Sequence, residues 1–244
     1  MDIRFNGKKA LVTGAGKGIG RDVAKRLAEL GAESVALSRT QEDLESLQSE
    51  VPSITTVQCD LRDWDKTRDA LKTVGDIDLL VNNAGVNAGN HFLNVKKEDL
   101  DWIVDVNFKA VFNVGQVIAQ SMVDRKKGGV IVNVSSAASL QGIDGHSVYC
   151  ATKAAVDKLT KVMALELGQH KIRVNAVNPT VALTDLGKRA WSDPAKADPL
   201  LARIPMGRFL EVSEIVDSIM FLLSDKAAML HGVTLPIEGG LLTS

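Results

Sequence analysis

Tyr149 and Lys153, in the run Ser147-Val148-Tyr149-Cys150-Ala151-Thr152-Lys153, set a phenol and an ammonium four residues apart at the head of an apolar, alanine-containing segment. In a helix, four residues turn about 400°, so both side chains leave one face. Tyr149 is also the only tyrosine in the chain. A free phenol has a pKa of about 10, and removing its proton near pH 7 costs roughly 4 kcal/mol. A nearby ammonium favours the phenolate and lowers that cost. Such a pair suits proton exchange with an alcohol or carbonyl oxygen. The plain alternative is a helix edge with a solvated lysine, and a redox partner would decide between the two.

The N-terminal region offers that partner. A strand pattern at residues 10–13 ends in Thr13-Gly14-Ala15-Gly16-Lys17-Gly18-Ile19-Gly20, and an amphipathic segment with Val23, Leu27 and Leu30 follows at once. Glycines let the backbone turn tightly and approach a pyrophosphate, which the first N–H groups and the dipole of a helix can hold. The spacing Gly-x3-Gly-x-Gly differs from the common Gly-x-Gly-x-x-Gly fingerprint. Its place between a first strand and a first helix nevertheless predicts a nucleotide site at Gly14, Lys17, Gly18, Ile19 and Gly20. The second strand pattern runs into Ser38-Arg39-Thr40. An acidic residue there would grip the ribose 2′-OH of NAD, whereas an arginine suits the 2′-phosphate of NADP. Arg39, with Lys17 as a second positive charge, predicts NADPH as the cofactor.

These groups need a scaffold, and the rest of the chain is patterned as one. Strands are predicted at residues 10–13, 34–37, 55–58, 79–82, 130–134, 173–177 and 234–237, with segments of helical spacing between most of them. This alternation predicts an α/β fold with a parallel sheet and helices on both faces. No linker, repeat or low-complexity tract divides residues 1–244, so one domain is expected. Residues 179–205, with Pro194 and Pro199 inside, read as a long substrate-covering loop.

Composition excludes several other classes. The 244 residues carry a net charge of −1 and no Lys/Arg block, which argues against nucleic acid as a partner. No run approaches the ~20 apolar residues of a membrane span, and the polar start does not read as a secretory signal. Cys59 and Cys150 are too few for a disulfide framework and fit a reducing, cytoplasmic setting. The four histidines are scattered without ligand spacing, so no metal is expected.

The glycine loop, Asn82-Asn83-Ala84-Gly85, Asn133-Val134-Ser135-Ser136 and Tyr149-x3-Lys153 stand in an order and at separations by which the chain resembles the short-chain dehydrogenase/reductase family over essentially its whole length. The resemblance implies a Rossmann-like, doubly wound parallel sheet of seven strands, with the cofactor across its C-terminal edge. It implies that Asp60 and Leu61 contact adenine, that Asn83, Ala84 and Gly85 line the cofactor pocket, and that Val181 and Thr184 also bind the cofactor. It further implies a catalytic tetrad of Asn107, Ser136, Tyr149 and Lys153. In reduction, Tyr149 would protonate a carbonyl oxygen that Ser136 holds, while Lys153 binds the nicotinamide ribose and lowers the Tyr149 pKa. Asn107, otherwise awkward inside the apolar stretch 102–122, would anchor a water that relays protons to Lys153. Thr180 stands where most of the family carries glycine.

Residues 14–21, 38–41, 146–150, 159–168, 171–180 and 191–194 extend the likeness to family members acting on pentuloses and dicarbonyls. The expected reaction is NADPH-dependent reduction of L-xylulose to xylitol, with small α-dicarbonyls such as diacetyl as further substrates. Ser136, His146, Tyr149, Asn178 and Trp191 are the candidate substrate contacts. Reduction of an oxoacyl or quinone carbonyl, or a non-catalytic NADP-binding scaffold, are the alternatives. Gly145-His146-Ser147-Val148-Tyr149 is not a hydrolase elbow, because tyrosine fills the last glycine position. Apolar residues on more than one face of 110–122 and 154–167, together with the resemblance, imply a homotetramer.

Overall fold

Short unbroken runs of Val, Ala, Leu and Ile make strands that can be buried on both faces, and seven such strands pair side by side. They are β1 (Lys9–Thr13), β2 (Glu33–Ser38), β3 (Thr55–Gln58), β4 (Leu79–Asn82), β5 (Gly129–Val134), β6 (Ile172–Pro179) and β7 (Thr234–Ile237). Each covers the segment expected from the sequence, with one or two residues added at some ends. The computed structural model describes residues 3–243, apart from the side chain of Leu186. Met1, Asp2 and Ser244, part of the expected domain span, lie outside the described residues.

Every pairing is parallel, in the order β3-β2-β1-β4-β5-β6-β7. The chain runs outward from β1 to β3 and then crosses back to place β4 on the other side of β1. That reversal opens a crevice at the C-terminal ends of β1 and β4, where doubly wound sheets bind ligands.

Connecting the strands are α1 (Gly18–Glu29), α2 (Gln41–Glu50), α3 (Trp64–Thr73), α4 (Lys97–Val104), α5 (Ala110–Arg125), α6 (Ser147–Leu167), α7 (Asp185–Ala190), α8 (Pro194–Leu201) and α9 (Val212–Leu223). The alternation along β1 sorts the two cores. Ala10 and Val12 pack with Val23, Leu27, Ile215 and Ile219 of α1 and α9. Leu11 points the other way, onto Leu71, Ile118 and Met122 of α3 and α5.

A buried polar ladder fixes α6 on the sheet. Asn82 Nδ2 donates to Asn133 Oδ1 at 2.9 Å, and Asn133 Nδ2 donates to Thr160 Oγ1 at 2.9 Å. Buried amide bonds of this kind specify one register of helix against strand, because a slip would break both of them.

The connection over 179–205, expected as a loop, contains α7 and α8. The local reason was in the sequence: Asp193 precedes Pro194, and its carboxylate accepts from Ala195 N at 3.0 Å, an N-cap followed by proline at the first helical position. Among the described residues, no helix is long and apolar enough to cross a membrane.

Candidate active site

The glycine turn after β1 is held by packing that leaves no room for a Cβ. A side chain on Gly14 would meet Ala84 Cα at 2.8 Å, and one on Gly20 would meet Asn83 Nδ2 at 2.3 Å. Gly18 has φ +55°, which favours glycine. Asn83 spends its amide on the turn, donating to the carbonyls of Thr13 at 3.0 Å and Gly14 at 3.2 Å. Its amide nitrogen therefore braces the glycine turn. The Thr13 hydroxyl, missed in the sequence, accepts from both Asn83 N and Ala84 N and ties β1 to β4.

α1 starts at Gly18 without a side-chain cap. Its first N–H groups, those of Gly18, Ile19 and Gly20, are the anion-holding end of a helix behind a glycine cradle, so the residues fit a pyrophosphate. Thr184 faces this turn, with its Cγ2 3.2 Å from where a Gly18 Cβ would stand, and its hydroxyl caps α7 by accepting from Gly187 N. Val181 N–H and C=O lie in the same connection, where the Val181 carbonyl accepts from Leu210 N.

Beyond the C-terminal ends of β2 and β3, a cleft of about 780 Å³ is lined by Arg39, Asp60, Arg62, Lys66 and Asp105 among others. Ser38 Oγ lies 2.8 Å from the place a Gly16 Cβ would take, which presses the turn onto the end of β2. Thr40 is the N-cap residue of α2 without a side-chain cap bond. Lys17 pairs with Asp43 at 3.2 Å, so it would have to exchange that partner to reach a phosphate. Asp60 is gripped by Arg62 through Nε at 3.0 Å and Nη2 at 2.6 Å. That hydrogen bonding holds the Asp60 carboxyl below its ordinary range. Leu61 is buried beside it. Arg62 was not anticipated, and its only signal was adjacency to Asp60.

Ser136, Tyr149, Lys153 and Asn107 converge at the ends of β5 and β4. Lys153 Nζ lies 5.7 Å from the Tyr149 ring centroid and donates to the Val134 carbonyl at 2.8 Å. Burial pushes the Lys153 ammonium down to about 8, with Asp157 opposing. Burial also raises the Tyr149 phenol above its ordinary value, with a hydrogen bond to Ser136 pulling the other way. The lowering expected from Lys153 is therefore not seen in the protein alone: desolvation disfavours the phenolate more than the Ser136 hydrogen bond supports it.

Asn107 lies in a π-helical turn, Asp105–Lys109, that interrupts the run from α4 to α5. It is fully buried, its Oδ1 accepting from Val86 N at 2.8 Å and its Nδ2 donating to Val86 O at 2.9 Å. Pinning the segment after β4 explains an amide among apolar neighbours. Gly85 sits against the same centre, with Lys153 Nζ 3.4 Å and Asn107 Oδ1 3.6 Å from where its Cβ would be.

The substrate candidates separate. His146 precedes α6, half-buried, and its Nδ1–H donates to the Asp144 carbonyl at 2.7 Å, which leaves Nε2 as an acceptor. Trp191 packs against Phe209 at a centroid distance of 5.4 Å and belongs to the apolar cluster under α8. Asn178 is fully buried and acts as a brace, its Nδ2 donating to Ser139 Oγ and Asp157 Oδ2, each at 2.8 Å, while its Oδ1 has no hydrogen-bond partner. Thr180 has no left-handed backbone, since Lys126 and Lys171 are the only non-glycine residues with positive φ among those described, so the missing glycine there brings no strain.

Residues 8–195 match the short chain dehydrogenase family. The chain is 57% identical to L-xylulose reductase of Bos taurus, covering all of both chains. It is 54% identical to D-erythrulose reductase of Gallus gallus, covering 100% of this chain and 99% of that one. A gluconate 5-dehydrogenase from Burkholderia cenocepacia, solved with NADP and tartrate, superposes with a TM-score of 0.92 at 34% identity, covering 100% of this chain and 98% of that one. With the glycine turn, the Ser136, Tyr149 and Lys153 cluster and this extent of identity all in one chain, the protein belongs to the short-chain dehydrogenase family.

Proposed function

We propose that this chain is an NADPH-dependent reductase of small carbonyl compounds, with L-xylulose, reduced to xylitol, as its substrate and small α-dicarbonyls such as diacetyl beside it. The observation that carries this reading is the meeting of the Tyr149 and Ser136 hydroxyls and Lys153 at the sheet edge that also bears the uncapped glycine turn. The two ketose reductases among the relatives support the substrate class, and the NADP of the gluconate dehydrogenase supports the cofactor.

NADPH, when bound, supplies the hydride that reaches the carbonyl carbon. The N–H groups of Gly18, Ile19 and Gly20 hold its pyrophosphate, and Arg39 with Lys17, Ser38 and Thr40 receives the 2′-phosphate. Asp60 and Leu61 border adenine, while Ala84, Gly85, Val181 and Thr184 close the pocket around the rest. Lys153 donates to the ribose hydroxyls.

Ser136 donates a hydrogen bond to the substrate's carbonyl oxygen and Tyr149 gives that oxygen its proton, so developing negative charge is met by fixed donors. A phenol held above its ordinary pKa keeps its proton at neutral pH, the form an acid needs. The Lys153 ammonium then steadies the phenolate until solvent returns the proton. The Asn107 side chain is spent on Val86, so any water of a relay would be held by main-chain carbonyls of the widened turn. His146 Nε2 accepts from a substrate hydroxyl.

The same reading makes the enzyme a cytoplasmic homotetramer. Its two cysteines are free, and α5 and α6 leave Phe112, Val162 and Leu165 exposed opposite their buried faces. Sedimentation velocity that gave only monomer would remove the assembly.

The test is the initial rate of NADPH oxidation with L-xylulose, beside diacetyl and an NADH control. Turnover of L-xylulose with NADPH alone is the expected result. Activity on diacetyl only would remove the sugar, and silence on both would sink the reading.

A further inference from the structure

Behind the reacting groups, α6 carries a second buried charge. Asp157 lies one turn beyond Lys153 on the same helix face, and the two residues are 8% and 4% exposed. Burying either charge costs several kcal/mol unless partners compensate. Asp157 Oδ2 accepts from Asn178 Nδ2 at 2.8 Å, while Oδ1 is buried without a hydrogen-bond partner.

Asn178 passes the contact on. Its Nδ2 donates to Ser139 Oγ at 2.8 Å and lies 3.3 Å from the Ser136 carbonyl, to which Ser139 Oγ donates at 2.7 Å. Asn178 belongs to β6, whereas Ser136 and Ser139 belong to the turn after β5. Three elements therefore meet at one carboxylate.

Lys153 is short of counter-charge on its other sides. Its Nζ donates to the Val134 carbonyl of β5, faces the Tyr149 ring of its own helix, and lies with Asn107 Oδ1 around Gly85. All of those groups are neutral. Asp157, one turn along the same buried helix face, is the charged group that acts against the loss of the Lys153 proton on burial.

Resting on the reductase reading above, we propose that Asp157 is a positioning residue: the counter-charge of Lys153 and, through Asn178 and Ser139, the brace of the segment that carries Ser136. A carboxylate that served only to hold Asn178 would be replaceable by an amide, whose carbonyl accepts the same bond. The counter-charge role makes the two differ.

The experiment is Asp157→Asn, with Asp157→Ser as a second neutral variant in case the first does not fold. The titration of Lys153 is followed by NMR of lysine-labelled protein without ligand, its signal assigned by loss in Lys153→Met. In parallel, kcat/KM for NADPH is measured against pH. The Lys153 midpoint should fall by about one pH unit in the neutral variants, and the alkaline limb of kcat/KM should follow it. An unmoved midpoint overturns the proposal, even where activity is lost, since that would leave Asp157 a purely structural part. Should the wild-type protein turn over no carbonyl while the midpoint still falls, the reductase reading fails and the Asp157–Lys153 coupling stands.

Discussion

Lys153 Nζ donates to the Val134 carbonyl at 2.8 Å, which anchors the ammonium of α6 to the end of β5, two residues before Ser136. Burial brings its pKa to about 8. Only the charged form can donate to cofactor hydroxyls and also steady a phenolate. Since kcat/KM for a cofactor reports groups of the free enzyme, kcat/KM for NADPH should decline as pH rises through about 8. A profile flat across the alkaline range would contradict this.

Tyr149→Phe removes the acid and leaves the ring packing. Turnover should fall by roughly 10²–10⁴-fold, the usual worth of a positioned proton donor. NADPH affinity, read by fluorescence titration, should stay within about twofold because Lys153 keeps its Val134 bond. Wild-type turnover in the variant would remove Tyr149 from its role.

Arg39→Asp should reverse the cofactor preference. A hydrogen bond to a charged group contributes about 1.5–3 kcal/mol, so NADPH should lose roughly 10–100-fold in kcat/KM while NADH gains. Steady-state rates with both cofactors decide it. Unchanged discrimination would move the 2′-phosphate contact to Lys17 or Arg62.

Gly20→Ala would set a Cβ 2.3 Å from Asn83 Nδ2 and 2.5 Å from the Gly14 carbonyl, the two groups that shape the turn. Overpacking of this kind destabilises by about 1–3 kcal/mol. Thermal melts should show the loss, and NADPH should bind at least about tenfold more weakly, equal to about 1.4 kcal/mol. A variant with wild-type melting and affinity would mean that the turn relaxes freely.

Glu214 accepts from Arg208 at 2.6 and 2.8 Å and from Glu211 N at 2.9 Å, at the start of α9. The Arg208 guanidinium draws its carboxyl down to about 2. A folded pKa below the unfolded value of about 4.3 gives stability that is present above that value and lost as pH falls toward about 2. The pair is solvent-exposed, so its worth is below about 1 kcal/mol. Glu214→Gln should melt lower than wild type at neutral pH, and the gap should close near the acid end of that window.

The pattern of strands was legible because a parallel sheet buries both faces of each strand, and that demand writes itself as continuous apolar runs such as Leu79-Leu80-Val81. The glycine turn was legible because an anion at a helix N-terminus requires close backbone, and each glycine records where a Cβ cannot fit. Tyr149 and Lys153 were legible because one helix face relates them. The helices inside 179–205 were missed although Asp193 and Pro194 signal one, because two prolines were read as loop punctuation.

What the sequence determined by itself is therefore the local and the periodic: seven strands, the turn that faces a nucleotide, and the spacing of phenol and ammonium. Only the tertiary structure decided which polar residues serve the chemistry directly and which hold others in place. The amides of Asn178 and Asn83 brace neighbouring segments, Asn107 pins Val86, and Asp157, buried one turn along α6 from Lys153, accepts from Asn178. Hydrogen-bond partners of buried amides and the desolvation that shifts Tyr149 and Lys153 depend on residues 20 to 70 positions apart meeting in one crevice, and no local pattern encodes that meeting.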